Sequence, residues 1–323
     1  MQRGSACGKV ILLGEHAVVY GVPAIVLGID RGATAHASEP SPSAGQATAA
    51  RSELTLGETE RVTDDGASDV ARAFAAVLRA CAVTRPVRVE VATELPAGAG
   101  LGCSAALGVA IVRALDAWEG RSPASPGDAA ERAMAWEKVF HGNPSGVDAA
   151  AAARGGCLLY QRMSGGLHLN EIALTQPLTL AIGHSGVSSS TREMVDLVAR
   201  LKARNEDAVK RSFEAIESLV QNARLALEAG DHVGLGKLMD LNQVLLSGLM
   251  VSTEEIETLC RLARDAGALG AKLTGSGGGG CVVALVREDP GPILMSWQKE
   301  GFRGFSTQVS STPGVSTERI PTP

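Results

Sequence analysis

The chain has 323 residues, of which 45% are hydrophobic and 20% charged, so it is long enough and apolar enough for two domains with substantial cores. Its net charge of −5 and its 3% aromatic content argue against a nucleic-acid partner, because phosphate neutralisation and base stacking would both lack suitable residues. Six cysteines are scattered without a C-x-x-C pair, which indicates reduced thiols and a cytoplasmic location rather than a disulfide framework or a metal site.

The first thirty residues are apolar, yet they predict neither a membrane span nor a signal peptide. Lys9, Glu15 and His16 interrupt the apolar residues too early for a span, and no small-residue cleavage site follows. Residues 10–13 and 24–29 are instead predicted as strands, with a turn at 14–16 between them. We therefore expect this segment to be part of the fold and the protein to have no membrane partner.

Hydrophobic periodicity predicts further elements along the chain. Residues 33–50 are rich in Ala, Ser, Pro and Gly, which is typical of an exposed loop. Ser68 is a candidate N-cap for the first predicted helix. Helices are predicted at 68–82, 105–115, 128–140, 191–202, 206–228, 232–246 and 252–266, strands at 87–94, 178–182 and 282–287, and a polar loop at 184–191.

A glycine-rich loop at residues 95–106, LPAGAGLGCSAA, lies between a predicted strand and a predicted helix. Gly98, Gly100 and Gly102 leave its backbone bare, and Ser104 lies where the helix would begin. Free N–H groups and the positive end of a helix dipole would converge there, which favours a phosphate-binding site. A flexible surface turn is the alternative.

Two common phosphate motifs do not fit this loop. The dinucleotide pattern G-x-G-x-x-G would need a glycine where Cys103 stands, and no acidic residue follows at the expected distance in a second strand. The Walker loop ends in Gly-Lys-Ser/Thr, a tripeptide that the sequence lacks.

Asp148 opens an alanine run directly after the turn-rich segment 141–147. Helix starts favour aspartate on electrostatic grounds alone, so a purely structural role is a serious alternative. Glu137 lies eleven residues upstream across a Gly-Asn-Pro break, so any relation between the two carboxylates depends on tertiary structure.

A third glycine-rich stretch, KLTGSGGGGC at residues 272–281, precedes a predicted strand. Four consecutive glycines have a high entropic cost, which indicates close approach of the backbone to a ligand or to the first glycine loop.

Four segments together resemble the signature motifs of the GHMP small-molecule kinases: GKVILLGEHAVVYG, LPAGAGLGCSAA, HGNPSGVDA and KLTGSGGGGC. They occur in the order and at the spacing of that family and span almost the whole chain. The GEHAVVYG and GNPSGVD forms resemble in particular the members of the family that act on mevalonate.

The resemblance implies a two-domain α+β fold with the active site in the cleft between the domains. The N-terminal domain, residues 1–166, would be ribosomal-protein-S5-like, and the C-terminal domain, residues 167–323, would be ferredoxin-like and helix-rich. The implied activity is ATP-dependent phosphorylation of the primary hydroxyl of (R)-mevalonate to 5-phosphomevalonate, with Mg²⁺ as cofactor. Homodimers are common among relatives, so the resemblance leaves a homodimer open, although the sequence itself does not give the oligomeric state.

The resemblance also assigns roles to individual residues. Asp148 and Lys9 match the catalytic pair, and Ser104 and Glu137 match the Mg²⁺ ligands. The acceptor would be bound by Lys9, Glu15, His16, Asp148 and Thr191. The ATP phosphates would be bound by Pro96, Ala97, Gly98, Ala99, Gly100, Leu101, Gly102, Cys103, Ser104 and Ala105.

Chemistry supports these roles independently, since phosphoryl transfer needs positioned cations and N–H donors more than covalent work. For Lys9 the alternative is a surface lysine at a strand end. The acceptor's carboxylate needs a cation, for which His16, Arg162 and Arg192 are all chemically suitable.

The sequence departs from the family pattern at two positions. Cys7 replaces a usual proline in an expected turn, and Cys103 replaces the first of two usual serines. Neither change removes a charge or a metal ligand. At a helix start the Cys103 thiol would be either activated, with a lowered pKa, or buried and inert.

Two alternative functions remain at this stage. A related kinase could act on phosphomevalonate, galactose or homoserine, although the GEHAVV segment has no extra basic residues for a phosphorylated acceptor. A non-catalytic ligand sensor on the same scaffold is the second, and the presence of Lys9, Ser104, Glu137 and Asp148 together argues against it.

Overall fold

The structure, a computed structural model, describes residues 1–40, 51–57, 60–96, 98–141, 144–163, 166–310 and 318–320. Its strands are β1 (Gln2–Leu13), β2 (Ala24–Ser38), β3 (Glu53–Leu56), β4 (Glu60–Thr63), β5 (Arg88–Thr93), β6 (Cys157–Met163), β7 (Gly166–Glu171), β8 (Leu178–His184), β9 (Gly270–Thr274), β10 (Cys281–Val286), β11 (Arg303–Val309) and β12 (Glu318–Ile320). Its helices are α1 (Asp69–Ala80), α2 (Cys103–Trp118), α3 (Pro126–His141), α4 (Val147–Arg154), α5 (Thr191–Arg204), α6 (Glu206–Ala229), α7 (His232–Gly248), α8 (Glu254–Asp265) and α9 (Gly291–Lys299), with a 3₁₀ turn at Ala17–Tyr20.

The chain divides into two compact units. The first unit comprises residues 1–8, 31–96 and 102–155, and the second comprises 9–30, 97–101 and 156–323. Strands β1 and β2 contribute residues to both. This mixture of helices and strands agrees with the predicted α+β class. The predicted domain boundary between residues 166 and 167 stays a prediction.

The first unit combines a small sheet with helices α1 to α4. The second half of β2 pairs antiparallel with β5, which pairs parallel with β3, and β3 pairs antiparallel with β4. The helices pack on one another, and α2 also packs on β5. Phe74 of α1 and Trp136 of α3 are among the largest fully buried side chains. Helix α1 begins as predicted, because the Ser68 hydroxyl accepts a hydrogen bond from the Ala71 N–H at 3.2 Å.

The second unit contains two groups of strands. The first half of β2 pairs with β6, β6 with β7, and β7 with β12, all antiparallel. A four-stranded antiparallel sheet has the order β11-β8-β10-β9, and each residue of its strands β9 and β10 is buried. Helices α7 and α8 pack on β9. No helix in the described part of the chain combines the length and hydropathy that a bilayer crossing requires.

Strand β9 is an edge strand whose outward main-chain groups are satisfied by side chains. The Ala271 N–H donates to Asp240 of α7 at 3.0 Å, and the Leu273 N–H donates to Gln243 of the same helix at 2.9 Å. The two matching carbonyls accept from Arg264 and from the Lys272 ammonium. Buried main-chain groups need such partners, so this coverage replaces a fifth strand.

The predicted helices are confirmed to within a few residues at each end, but one predicted loop is wrong. Residues 33–38 continue strand β2, and Ala33, Ala35 and Ala37 are all buried. Their alternation with more exposed neighbours is a strand pattern of period two that the small, loop-like composition concealed. Residues 41–50, the rest of that prediction, lie outside the described residues.

Helix α7 approaches β9 through two glycines. A Cβ atom at Gly236 would lie 2.2 Å from the Leu269 carbonyl oxygen, and one at Gly270 would lie 2.0 Å from the Gly236 oxygen. We expect Gly236→Ala to lower the free energy of unfolding by at least about 1–3 kcal/mol, because backbone must move to admit the methyl group. Urea unfolding measures this. Gly248→Ala on the same helix is the control, since its Cβ would meet no atom within 4 Å. Equal stability of the two variants would contradict the packing argument.

Candidate active site

The first glycine loop has the backbone that its sequence predicts. Gly98, Gly100 and Gly102 have φ values of +69°, +76° and +71°, a left-handed conformation that side chains rarely adopt. Gly102 precedes α2 as its N-cap, and among the described residues no side chain caps that helix. The N–H groups of the first helical turn are therefore available to an anion.

The other residues of this segment differ in exposure. Ala99, Leu101 and Ala105 are buried, whereas Cys103 and Ser104 at the start of α2 are half-buried. Pro96 is also half-buried, and Ala97 lies outside the described residues. The bare part of the segment is thus its glycines and the first turn of the helix.

Within the first unit, the structure brings the two predicted metal ligands together. The Ser104 hydroxyl donates a hydrogen bond of 2.5 Å to Glu137 Oε1, although 33 residues separate them. Glu137 lies on α3 and is only 4% exposed. A hydroxyl beside a buried carboxylate is a pair of hard oxygen donors, so these residues fit Mg²⁺, which prefers such ligands.

Asp148 lies in the first turn of α4 and is half-buried. Gly146, not Asp148, is the N-cap of this helix. The structural alternative therefore stays open in its other form, because a carboxylate in the first turn interacts favourably with the helix dipole.

Lys9 lies in the middle of β1 and is 4% exposed. Its main-chain N–H donates to the Leu101 carbonyl at 2.9 Å, which joins β1 to the first glycine loop within the second unit. A surface lysine at a strand end would be neither central nor buried, so that alternative is disfavoured. The predicted approach of Lys9 to Asp148 stays a prediction.

The Gly14–His16 turn is held by residues from distant parts of the second unit. Glu15 is wholly buried, forms an ion pair with Lys272 of β9 and accepts from the Asn242 amide at 3.2 Å. This burial leaves the carboxylate no exposed surface in the structure, and the predicted place of Glu15 in the acceptor pocket stays a prediction. Burial raises the pKa of the Glu15 carboxyl, and the Lys272 charge opposes that shift.

Ser276 forms hydrogen bonds with two of the predicted acceptor-binding residues, His16 and Thr191. His16 Nε2 lies 2.8 Å from the Ser276 carbonyl oxygen, and the Ser276 hydroxyl donates to Thr191 at 3.4 Å. A carbonyl oxygen only accepts, so Nε2 of His16 carries the proton. Burial lowers the pKa of the imidazole, which keeps His16 neutral near pH 7.

The third glycine stretch lies against the first, as predicted. A Cβ atom at Gly275 would lie 3.6 Å from the Cα of Gly100, and one at Gly280 would lie 3.4 Å from the Ala99 oxygen. Other glycines of the stretch approach main chain more closely still: a Cβ atom at Gly277 would lie 2.2 Å from the Val251 oxygen, and one at Gly279 would lie 2.6 Å from the Val187 oxygen. The glycine run is therefore explained largely by packing of main chain on main chain.

Sequence reasoning did not single out Lys272, Asn242 or Ser276. Lys272 carried a signal, since it is the one charged residue of the otherwise apolar strand β9 and such a lysine needs a buried partner. Nothing in the sequence indicates that this partner is Glu15. Ser276 contributes mainly its main-chain carbonyl, which no side-chain pattern can reveal.

The structure shows the local surroundings of the two departures from the family pattern, Cys7 and Cys103. Cys7 lies inside the extended strand β1, so the turn expected there does not exist. The Cys103 thiol contacts the Thr93 hydroxyl at 3.7 Å, and burial raises its pKa. Of the two alternatives for Cys103, the structure thus favours the inert thiol.

We expect Cys103 to alkylate more slowly at pH 7 than an unhindered peptide thiol, because a raised pKa leaves less thiolate. The rate should climb as the pH rises toward that pKa. Iodoacetamide labelling followed by mass spectrometry of the peptide measures it, with Cys103→Ser identifying the labelled site. Labelling at pH 7 that outpaces the free peptide would contradict a half-buried thiol with a raised pKa.

Comparisons with known proteins identify the family that this chain is similar to. Residues 68–156 match the model of the GHMP kinases N terminal domain, and residues 223–301 match that of the GHMP kinases C terminal domain. Mevalonate kinase of Aeropyrum pernix is 39% identical over 98% of this chain and 95% of its own, and that of Methanothermobacter thermautotrophicus is 38% identical over 87% and 88%. The crystal structure of L. major mevalonate kinase in complex with R-mevalonate matches 97% of each chain with a TM-score of 0.84 and 29% identity. The chain belongs to the GHMP kinase family.

Proposed function

We propose that this protein transfers the γ-phosphoryl group of ATP to the primary hydroxyl of (R)-mevalonate, which yields 5-phosphomevalonate and ADP. Family membership supports the use of ATP, and near full-length similarity to mevalonate kinases supports the acceptor. The observation that carries the proposal is the hydrogen bond between Ser104 and Glu137 at the start of α2. It joins two Mg²⁺-type ligands directly after a loop suited to phosphate.

Ser104 and Glu137 would hold Mg²⁺, directly or through water, and the N–H groups around Gly98 to Ala105 would bind the ATP phosphates. The metal ion supplies positive charge beside the phosphate oxygens. The chain's own contribution is positioning: the left-handed glycines let the main chain approach the phosphates without side chains in between.

Asp148 would accept the proton of the acceptor hydroxyl, and Lys9 would stabilise the charge on the transferred phosphoryl oxygens. Proton transfer is late if the transition state is loose, because the bond from the acceptor oxygen to phosphorus is then scarcely formed and the hydroxyl has not yet become acidic. The burial of Lys9 supports this role because a desolvated cation interacts more strongly with an oxyanion than one in water does.

The acceptor would contact His16 and Thr191, which Ser276 links in the second unit. His16 is held neutral, so it suits a hydroxyl better than a carboxylate. Of the three cations considered for the carboxylate of mevalonate, Arg162 and Arg192 therefore remain. Both are exposed and belong to the second unit.

A cytoplasmic homodimer completes the proposal. The structure describes all six cysteines and places none of them in a disulfide, which supports a reducing compartment. Size-exclusion chromatography with light scattering would test the dimer directly.

Measurement of ADP release across four acceptors tests the function. We expect Mg²⁺-dependent release with mevalonate and at most a small fraction of that rate with phosphomevalonate, galactose or homoserine. EDTA should abolish it. Preference for another acceptor would replace mevalonate, and ligand binding without ADP release from any acceptor would favour the sensor.

Asp148→Ala should lower kcat by about 10²–10⁴-fold, the usual contribution of a general base, with the KM for ATP nearly unchanged. Steady-state kinetics with both substrates varied gives the two constants. Asp128→Ala is a matched control, because Asp128 also lies in a first helical turn but is exposed. Wild-type kcat in the Asp148 variant would remove Asp148 from catalysis.

A further inference from the structure

Glu15 and Lys272 form an ion pair that is completely buried. Both side chains are 0% exposed, although 257 residues separate them in sequence. The Asn242 amide donates to the second Glu15 oxygen at 3.2 Å, and the Lys272 ammonium also donates to the Leu273 carbonyl at 2.5 Å. The pair therefore lies in a network that fixes both charges in direction as well as in distance.

Stability alone does not account for such a pair. Transfer of two charges out of water is costly, and well-packed apolar residues of the same volume usually stabilise a protein at least as much. Burial raises the pKa of Glu15 and lowers that of Lys272, in agreement with this cost. The presence of a buried ion pair despite this cost is better explained by the geometry that the pair imposes on the segments that carry it.

The geometry concerns one short turn. Lys272, Thr274 and Ser276, alternate residues of β9 and the segment that follows it, each bind the segment 11–16. Lys272 binds the Glu15 carboxylate, the Thr274 hydroxyl bonds both the N–H and the carbonyl of Ile11, and the Ser276 carbonyl accepts from His16. The end of strand β1 and the turn that follows it are thus fixed at three points: Ile11, Glu15 and His16.

His16 needs this support because its backbone is unfavourable. Its φ of +60° is one of three positive values among the described non-glycine residues, and with a ψ of −48° it lies outside the left-handed helical region where positive φ is best tolerated. The Glu15 side chain, anchored immediately before it, prevents relaxation of the turn. The imidazole is consequently held with Nε2 protonated toward Ser276 and with Nδ1 as an acceptor.

We propose that Lys272 is a positioning residue for phosphoryl transfer: by binding Glu15 it holds the turn that presents His16 to the acceptor. In this role Glu15 acts through the turn and does not itself contact the acceptor. The inference rests on the proposed function, because it requires that His16 meet the acceptor. It adds Lys272 and Glu15 as residues that affect the reaction indirectly, through the position of His16.

The test compares Lys272→Met, Glu15→Gln and the double variant E15Q/K272M. Each single variant leaves one buried charge unpaired, so its Tm should fall. The double variant contains neither charge, so its Tm should recover toward that of the wild type. Its kcat/KM for mevalonate should nevertheless stay about 10–100-fold low, because a small displacement of a positioning group has an effect of that size. The KM for ATP should change by less than about threefold in this variant.

A purely structural role would give a different result. Activity would then recover together with Tm, and wild-type kcat/KM in the double variant would overturn the proposal. The double variant decides the question even if neither single variant folds. Lys210→Met with Glu214→Gln is the matched control, since it makes the same substitutions in an exposed pair on α6 and should alter neither quantity.

Histidine NMR provides a readout that needs no acceptor. With ¹⁵N-labelled histidine, the wild type should show the Nε2-protonated tautomer for His16, and the double variant should show exchange between tautomers. Assignment follows from the peak lost in His16→Gln. An unchanged His16 signal would count against the positioning role, whereas absent mevalonate-dependent ADP release from the wild type would overturn only the proposed function.

Discussion

Strand β9 needs hydrogen-bond partners along an edge that no other strand covers, and this requirement organises the second unit. Helix α7 contacts the strand through Gly236 and Gly270, and from that distance Asp240 and Gln243 reach the main-chain N–H groups. Lys272 also takes part in this coverage, because its ammonium donates both to the Leu273 carbonyl of β9 and to Glu15. One strand edge thus connects helix packing to the turn that carries His16.

The candidate phosphate site uses a different solution in which side chains are largely absent. Within the first unit, the left-handed Gly102 precedes a helix start that no described side chain caps, and Ser104 with Glu137 offers oxygen ligands. Such a site depends on backbone geometry, so it tolerates changes like cysteine at position 103. The third glycine stretch is less tolerant, because its glycines have positive φ values and a Cβ atom at Gly277 would lie 2.2 Å from the Val251 oxygen.

The sequence was informative where the physics is local. Helices followed from the 3.6-residue period and from caps such as Ser68, and the glycine loop followed from residue type alone. The extension of β2 through Ala33, Ala35 and Ala37 was missed because small residues give strands and loops a similar composition. The pairing of Ser104 with Glu137 came only through family resemblance. The pairing of Glu15 with Lys272 could not be predicted, because it depends on the register of segments 257 residues apart.

The distance along the chain between these partners also affects how the protein is made. The links from the segment 11–16 to Lys272, Thr274 and Ser276 span 257 to 263 residues. Such contacts raise contact order and form late, because a long loop must close before they contribute. During synthesis on the ribosome the His16 turn therefore waits for nearly the entire polypeptide to emerge, and a nascent chain would hold Glu15 without its partner until then.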